Sequence, residues 1–295
     1  MKEPSDNSSF DKFILGTAQL GLDYGINNRH GKPSHKEAHA ILEAAKKNGI
    51  KTLDTAQAYG DSINIIGEFQ KTNAPFNIIT KIICSEIPDK EKYILELLEK
   101  LNIRKFEAVL FHRFTDLLQD KKSLSVLSRL REKGLIENIG VSIYTNEELL
   151  LSSAFPDIGL IQLPFNLLDN YSLRFEGIRK AIQNKKKLHA RSIFLQGLFF
   201  MSEESLPEFL QPLKPYLNRL HEIAEGQNMT LNELAVKYVL QIGEISGVLF
   251  GIDSIGQLEK NISYANSISL SQPVINDINS IHVDVPELLN PVNWK

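Results

Sequence analysis

Eight short apolar runs, separated by stretches with helical spacing, constrain this chain more than any other feature. They are "KFILGTA" (12–18), "IKTLDTA" (50–56), "FNIITKI" (76–82), "FEAVLFH" (106–112), "IENIGVS" (136–142), "IGLIQLP" (158–164), "KLHARSI" (187–193) and "SGVLFGI" (246–252). Each is near-continuous in its apolar core, as a strand buried on both faces should be. Between them, "SHKEAHAILEAAKKNG" (34–49) places Ala38, Ile41, Leu42 and Ala45 on one stripe and supplies Gly49 as its stop. "DKEKYILELLEKLN" (89–102), "KSLSVLSRLREKG" (122–134), "NEELLLSSA" (146–154) and "SIGQLEKNISYA" (254–265) read as further amphipathic crossover helices. Strands alternating with helices imply a parallel sheet, and eight strands close as a barrel. The expected fold is α/β, a (β/α)8 TIM barrel.

The 295 residues suit one such barrel, with its core over about 12–265 and a tail over 266–295 that contains Pro273, Pro286 and Pro291. The regular pattern fades in that tail, and no second domain is expected. Strands seven and eight are separated by a longer excursion, "QGLFFMSEESLPEFLQPLKPY" (196–216), followed by helical stretches near 217–225 and 230–241. Its Pro207, Pro212 and Pro215 predict an irregular loop over one rim, suited to substrate or cofactor.

Hydrophobic residues at 42%, charged residues at 23% and a net charge of −3 are globular values without the basic surface that nucleic acid demands. The lysines of "NKKKLH" (184–189) read as a solvated turn. The single cysteine, Cys84, excludes an internal disulfide and reads as a filler at a strand end rather than a reactive thiol. The start, "MKEPSDNSSF", lacks a signal-like apolar stretch, and "SIFLQGLFFM" (192–201) is too short to span a bilayer. A soluble, cytoplasmic protein with no evident protein partner is expected. His30, His35, His39, His189, His221 and His282 show no ligand spacing for zinc, so no metal is expected.

Chemistry in such barrels gathers at the carboxyl ends of the strands, where this chain has Thr17, Asp54, Lys81, His112, Ser142, Gln162, Ser192 and Asp253. Asp54, Lys81 and His112 end neighbouring strands, and Tyr59 lies on the loop after the second, so the four can share one small volume. An aspartate beside a lysine keeps both charged, and that ammonium beside a phenol favours proton release from it. Tyr59 is then a usable proton donor, and His112 can donate a hydrogen bond to a carbonyl oxygen as charge develops there.

At these residues the sequence resembles the aldo-keto reductase family. "DTAQAYG" is similar to its aspartate-to-tyrosine segment, "ITK" to its lysine strand, "VLFH" to its histidine strand, "IGVS" to its fifth strand and "IQLPFNLLD" to its sixth. "ARSIFLQGL" and "GIDSIGQLEKN" resemble the seventh and eighth segments, and the match runs in order from about 12 to 265. The resemblance implies a metal-free reductase of carbonyl compounds that uses NADPH or NADH. In it Tyr59 protonates the carbonyl oxygen, Lys81 and Asp54 tune Tyr59, and His112 orients the substrate. It further implies that Ser142 and Gln162 contact the carboxamide, that Arg191 packs near the nicotinamide ring, and that Ser192 and Leu195 approach the pyrophosphate. Gly16, Thr17, Asp54, Gly197, Gly251 and Ser254 join the coenzyme set by the same resemblance, while Gln257 and Asn261 are placed to hold adenine.

Three positions depart from the family pattern. Asp253 stands where members that prefer NADPH carry a basic residue, and an acid suits a ribose hydroxyl, so NADH is a live option. Asp253 as a simple cap of the helix beginning near Ser254 is the competing reading. Ile143 and Ile63 replace a family Asn and Glu. The polar loop "GLDYGINNRHGKPS" (21–34) offers Asp23, Tyr24 and Asn28 to a substrate pocket, whose polar character suits a sugar. Tyr24, Tyr59 and His112 form the expected substrate set. Two other readings remain: a non-catalytic coenzyme-binding redox sensor of the same fold, and an aldolase forming a Schiff base through Lys81.

Overall fold

The computed structural model describes residues 9–26, 28, 31–201, 205–267 and 269–294. Eight parallel strands pair in sequence order into a closed barrel, the last returning to the first: β1 (Phe13–Gly16), β2 (Thr52–Asp54), β3 (Asn77–Ile82), β4 (Phe106–Phe111), β5 (Ile136–Ser142), β6 (Leu160–Pro164), β7 (Lys187–Arg191) and β8 (Gly247–Gly251). Each lies within the apolar run that predicted it.

The helices are α1 (Ala18–Gly21), α2 (His35–Lys47), α3 (Ser62–Gln70), α4 (Lys90–Lys100), α5 (Phe114–Gln119), α6 (Lys121–Glu132), α7 (Asn146–Ala154), α8 (Tyr171–Gln183), α9 (Lys214–Gly226), α10 (Leu231–Gln241), α11 (Ile255–Ala265) and α12 (Gln272–Asn279). Their starts follow local chemistry. Ser34 with Glu37 and Thr145 with Glu148 form capping boxes on α2 and α7. Asp89, Asn170 and Thr230 cap α4, α8 and α10 through side-chain oxygens.

Burial separates two layers. Ile14, Ile79, Ala108, Leu110, Leu160 and Leu249 fill the barrel interior. A much larger cluster lies between the strands and the surrounding helices, including Leu53, Phe106, Val141, Leu163 and Phe250. Each such side chain contributes about 1.5–3 kcal/mol by leaving water. The interior requires Gly140, because a Cβ there would sit 2.9 Å from Leu110 Cγ and 2.5 Å from the Leu160 carbonyl oxygen.

The C-terminal tail is more ordered than its prolines predicted. It contains α12, with Pro273 in the first helical turn, where a missing N–H costs nothing. Asn170 donates to the carbonyls of Ile278 and Ile281 at 3.0 and 2.9 Å, fastening the tail to the start of α8. Two short 3-10 turns, Pro286–Leu289 and Pro291–Asn293, follow. The excursion after β7 is largely 3-10 and irregular, as its prolines required, though residues 202–204 lie outside the described set. The expected pocket loop after β1 is described except at 27, 29 and 30, which removes His30 from view. No described helix is long and apolar enough to cross a membrane.

Candidate active site

Strand alternation sends every second residue inward, so the residue two beyond an interior filler faces the barrel mouth. Lys81 stands two beyond Ile79, His112 two beyond Leu110, Gln162 two beyond Leu160, and Gly16 and Gly251 two beyond Ile14 and Leu249. These residues, with Asp54, Tyr59, Ser142 and Arg191, line one cleft of about 620 Å³.

At its floor the Lys81 ammonium donates to Asp54 Oδ1 and, at 3.3 Å, to the Thr55 carbonyl. Gln162 Nε2 donates to Asp54 Oδ2 at 2.8 Å, so both carboxylate oxygens are engaged. Asp54 and Lys81 are 1% and 2% exposed, which leaves each dependent on the other for its charge. Burial works against the ammonium, but Asp54 and the Tyr59 hydroxyl more than offset it, holding Lys81 above its ordinary range. Lys81 Nζ lies 5.0 Å from the centre of the Tyr59 ring, and the Tyr59 and His112 rings meet edge to face at 6.3 Å. Burial, then the charges of Lys81, Arg191 and Arg113, push His112 down to about 4. The imidazole is therefore neutral at pH 7. Its Nδ1 is buried and has no partner among the described residues, which leaves Nε2 to meet a substrate oxygen.

Tyr59 is held by backbone packing. Its N–H donates to the Ala56 carbonyl at 3.0 Å, and its carbonyl accepts from Ser62 at 3.1 Å. Gly21 allows the end of α1 to press against this turn, since a Cβ there would sit 1.9 Å from the Tyr59 carbonyl oxygen. Gly60 answers it with φ of +52°, where a side chain would strike the Gly21 carbonyl oxygen at 2.4 Å.

Three residues expected in the coenzyme set do not line the cleft. Thr17 is fully buried, donating to the Asp54 carbonyl at 2.9 Å and accepting from Ser62 at 2.7 Å, so it braces the floor from behind. Leu195 packs wholly into the core. Ser254 caps α11 through Gln257 N at 3.3 Å, which also corrects the reading of Asp253 as that cap. Asp253, Gln257, Asn261, Ser192, Gly197, Tyr24 and Asn28 do line the cleft; Asp23 is not among its lining residues.

Sequence reasoning missed other wall residues: Gln19, Tyr144, Gln196, Phe200, Asn232, Lys260, Tyr264, Pro291 and Val292. Lys260 and Tyr264 follow Gln257 by three and seven positions, so the helical face that pointed to Gln257 and Asn261 carried a signal for them. Nothing in the sequence marked Asn232 or the tail residues. The wall after β7 is strained, with Ser192, Leu195 and Gln196 at φ of +59°, +45° and +54°. Each non-glycine residue there costs about 1–2 kcal/mol.

A larger groove, about 890 Å³, opens at the opposite end of the barrel beside Lys51, Glu107 and Glu137. Four of its charges pair, Lys105 with Glu137 at 3.0 Å and Lys51 with Asp11 at 3.5 Å, and Glu107 accepts from Thr52 at 3.0 Å. It lies at the amino ends of the strands, away from the clustered chemistry. Among the described residues no three His, Cys, Asp or Glu side chains are grouped to hold a metal.

The model of the aldo/keto reductase family matches residues 12–283. D-arabinose 1-dehydrogenase of Saccharomyces cerevisiae is 25% identical over 293 residues, covering 87% of this chain and 83% of that protein. D-threo-aldose 1-dehydrogenase of a Pseudomonas species is 24% identical, covering 85% and 90%. The solved holo form of an aldo-keto reductase from Bacillus halodurans superposes with a TM-score of 0.73 at 20% identity, covering 90% of each chain.

Proposed function

The chain belongs to the aldo/keto reductase family and is an NAD(P)H-dependent oxidoreductase, and from that premise we propose that it interconverts the carbonyl and alcohol forms of a small polyhydroxylated substrate, a sugar or sugar derivative. The observation that carries this reading is the buried contact of Lys81 with Asp54 directly beneath Tyr59, with His112 at the edge of the same ring.

The cleft suits a nicotinamide coenzyme. Gln162 Oε1 is buried and has no partner among the described residues, so it is an acceptor that a carboxamide N–H would satisfy. Ser142 stands beside Gln162 in the strand register and offers a hydroxyl to the same group. Gly16 and Gly251 put no side chains of their own into the mouth between β1 and β8, where the Gln19 amide lies against Gly251. At the far end Gln257, Lys260, Asn261 and Tyr264 present one face of α11. When bound, the coenzyme supplies or accepts the hydride.

The chain's own residues manage the proton. Lys81, kept charged by Asp54, meets the Tyr59 hydroxyl, and this oxygen can give a proton to a forming alkoxide or take one from an alcohol. His112, neutral, donates through Nε2 to the substrate oxygen and fixes its position. Tyr24, Asn28 and Gln196 give the entrance polar groups suited to sugar hydroxyls, in keeping with the aldose dehydrogenases among the relatives. A Schiff base through Lys81 is disfavoured, because Asp54 holds its amine protonated and therefore non-nucleophilic.

Tyr59→Phe tests the assignment. Turnover falls at least about a hundredfold while calorimetric coenzyme affinity stays within a few-fold, the pattern of a lost proton donor; undiminished turnover removes Tyr59 from this role. Asp253 at the rim after β8 suits a ribose hydroxyl and repels a phosphate. NADH is accordingly used at least as well as NADPH, and steady-state kinetics showing a preference for NADPH of about a hundredfold would contradict this reading of Asp253.

A further inference from the structure

Five charged side chains line the cleft: Asp54, Lys81, Arg191, Asp253 and Lys260. Asp54 and Lys81 neutralise each other at the reacting end. Asp253 and Lys260 belong to β8's exit and α11. Arg191 is left as a cation beside the reacting groups with no carboxylate of its own among the described residues. Asp169, the acid whose charge it feels, is already gripped by Arg174 through two bonds of 2.6 Å.

The guanidinium is fixed in place. It donates to the Ile143 carbonyl at 2.8 Å and to Ser192 Oγ at 3.2 Å, and it lies 4.3 Å from the centre of the Tyr144 ring. Its Nε is buried without a partner among the described residues. The charge is felt at the reacting end, where it helps to keep His112 neutral.

Hydride and proton must reach the two ends of one C–O bond. A bound nicotinamide ring would therefore approach the Tyr59 hydroxyl, in the cleft that Tyr59, His112, Gln162 and Arg191 line together. That ring is a cation when oxidised and uncharged when reduced. We infer that Arg191 selects the redox state of the bound coenzyme, favouring the reduced, uncharged ring over the oxidised one. This rests on the oxidoreductase reading above. Oxidised coenzyme bound there would be a stronger hydride acceptor than it is in water. On the enzyme the balance is thus tilted toward alcohol oxidation: the C–H electron pair leaves with its hydrogen for the ring, and the O–H proton goes to Tyr59.

Two fixed cations a few ångströms apart in a partly desolvated cleft repel strongly enough to expect a difference of at least about tenfold. Isothermal titration of the full chain with NADH and NAD+, and with NADPH and NADP+, measures it. The wild type is expected to bind the reduced form at least about tenfold more tightly, Arg191→Met and Arg191→Gln to shrink that ratio at least about fivefold, and Arg191→Lys to retain most of it. The two redox forms differ chiefly in ring charge, so general damage to the cleft cancels in the ratio, and ADP-ribose, which lacks the ring, reports such damage separately. A ratio that is the same in the wild type and in both neutral variants overturns the role of Arg191 and leaves the oxidoreductase reading intact. Failure of the wild type to bind any of the four forms defeats both.

Discussion

Exchanging Lys81 for Met would strand a carboxylate that is 1% exposed and, among the described residues, keeps only the amide of Gln162 as a side-chain donor. Breaking one side of a buried ion pair costs about 3–5 kcal/mol. Urea unfolding of Lys81→Met should show a loss of that order, and the double variant Asp54→Asn/Lys81→Met should recover most of it, because no charge is then left unpaired. Equal instability of the two would mean that packing, not charge, holds the floor. Asp54, Lys81 and His112 were legible in the sequence because a polar residue that abruptly ends an apolar run has few places to point. Tyr144 and Asn232 were not, since they sit on a loop and a helix where a polar side chain is ordinary. Thr17 was misleading for a related reason: its hydroxyl turns backward to Asp54 and Ser62, a direction that its position at a strand end does not reveal.

Among the elements, the contact of α1 with the Tyr59 turn rests on two glycines, and substituting either should move the proton donor without touching it. In Gly21→Ala the new methyl group would collide with the Tyr59 carbonyl oxygen and with Ser62 N, forcing the turn away from Lys81. Turnover should fall at least about tenfold with coenzyme affinity little changed, as expected when a catalytic group is misplaced by about 1 Å; kinetics indistinguishable from wild type would show that the turn adjusts elsewhere. Two crossover helices escaped the reading of the sequence. In α3, "SINIIGEFQ", Ile63, Ile65, Ile66 and Phe69 are all buried along with Ser62 and Gly67, so no narrow apolar stripe marks it. In α8 the stripe is broken by Arg174, buried by its bonds to Asp169, and by Gly177, which lies against Leu149. Both are cases where tertiary contacts, rather than local pattern, decide which faces are covered.

For the molecule as a whole, the closed barrel was legible because each strand is buried on both faces and so spells out its own apolar run, while the tail was hidden by prolines that proved to begin helical turns. Burial, with neighbouring charge, also sets how the fold responds to acid. His112 is pushed down to about 4, and His189, inside the barrel near Gly247, down to about 3. Unfolded, both imidazoles take a proton near 6.5. The unfolded chain therefore binds more protons as pH drops below about 6.5, and stability is lost from there toward pH 4. Thermal melts at pH 7 and 5 should differ by at least about 5 °C, and His189→Gln should flatten the dependence; an unchanged slope would mean that other groups carry it. The tail has one more consequence. Trp294, the only tryptophan in the chain, rests against Phe209 with its indole N–H on the Leu288 carbonyl, three residues beyond Pro291 and two beyond Val292 on the cleft wall. The protein thus carries its own optical gauge at the rim, and quenching of its indole emission would follow cleft occupancy without any dye or label.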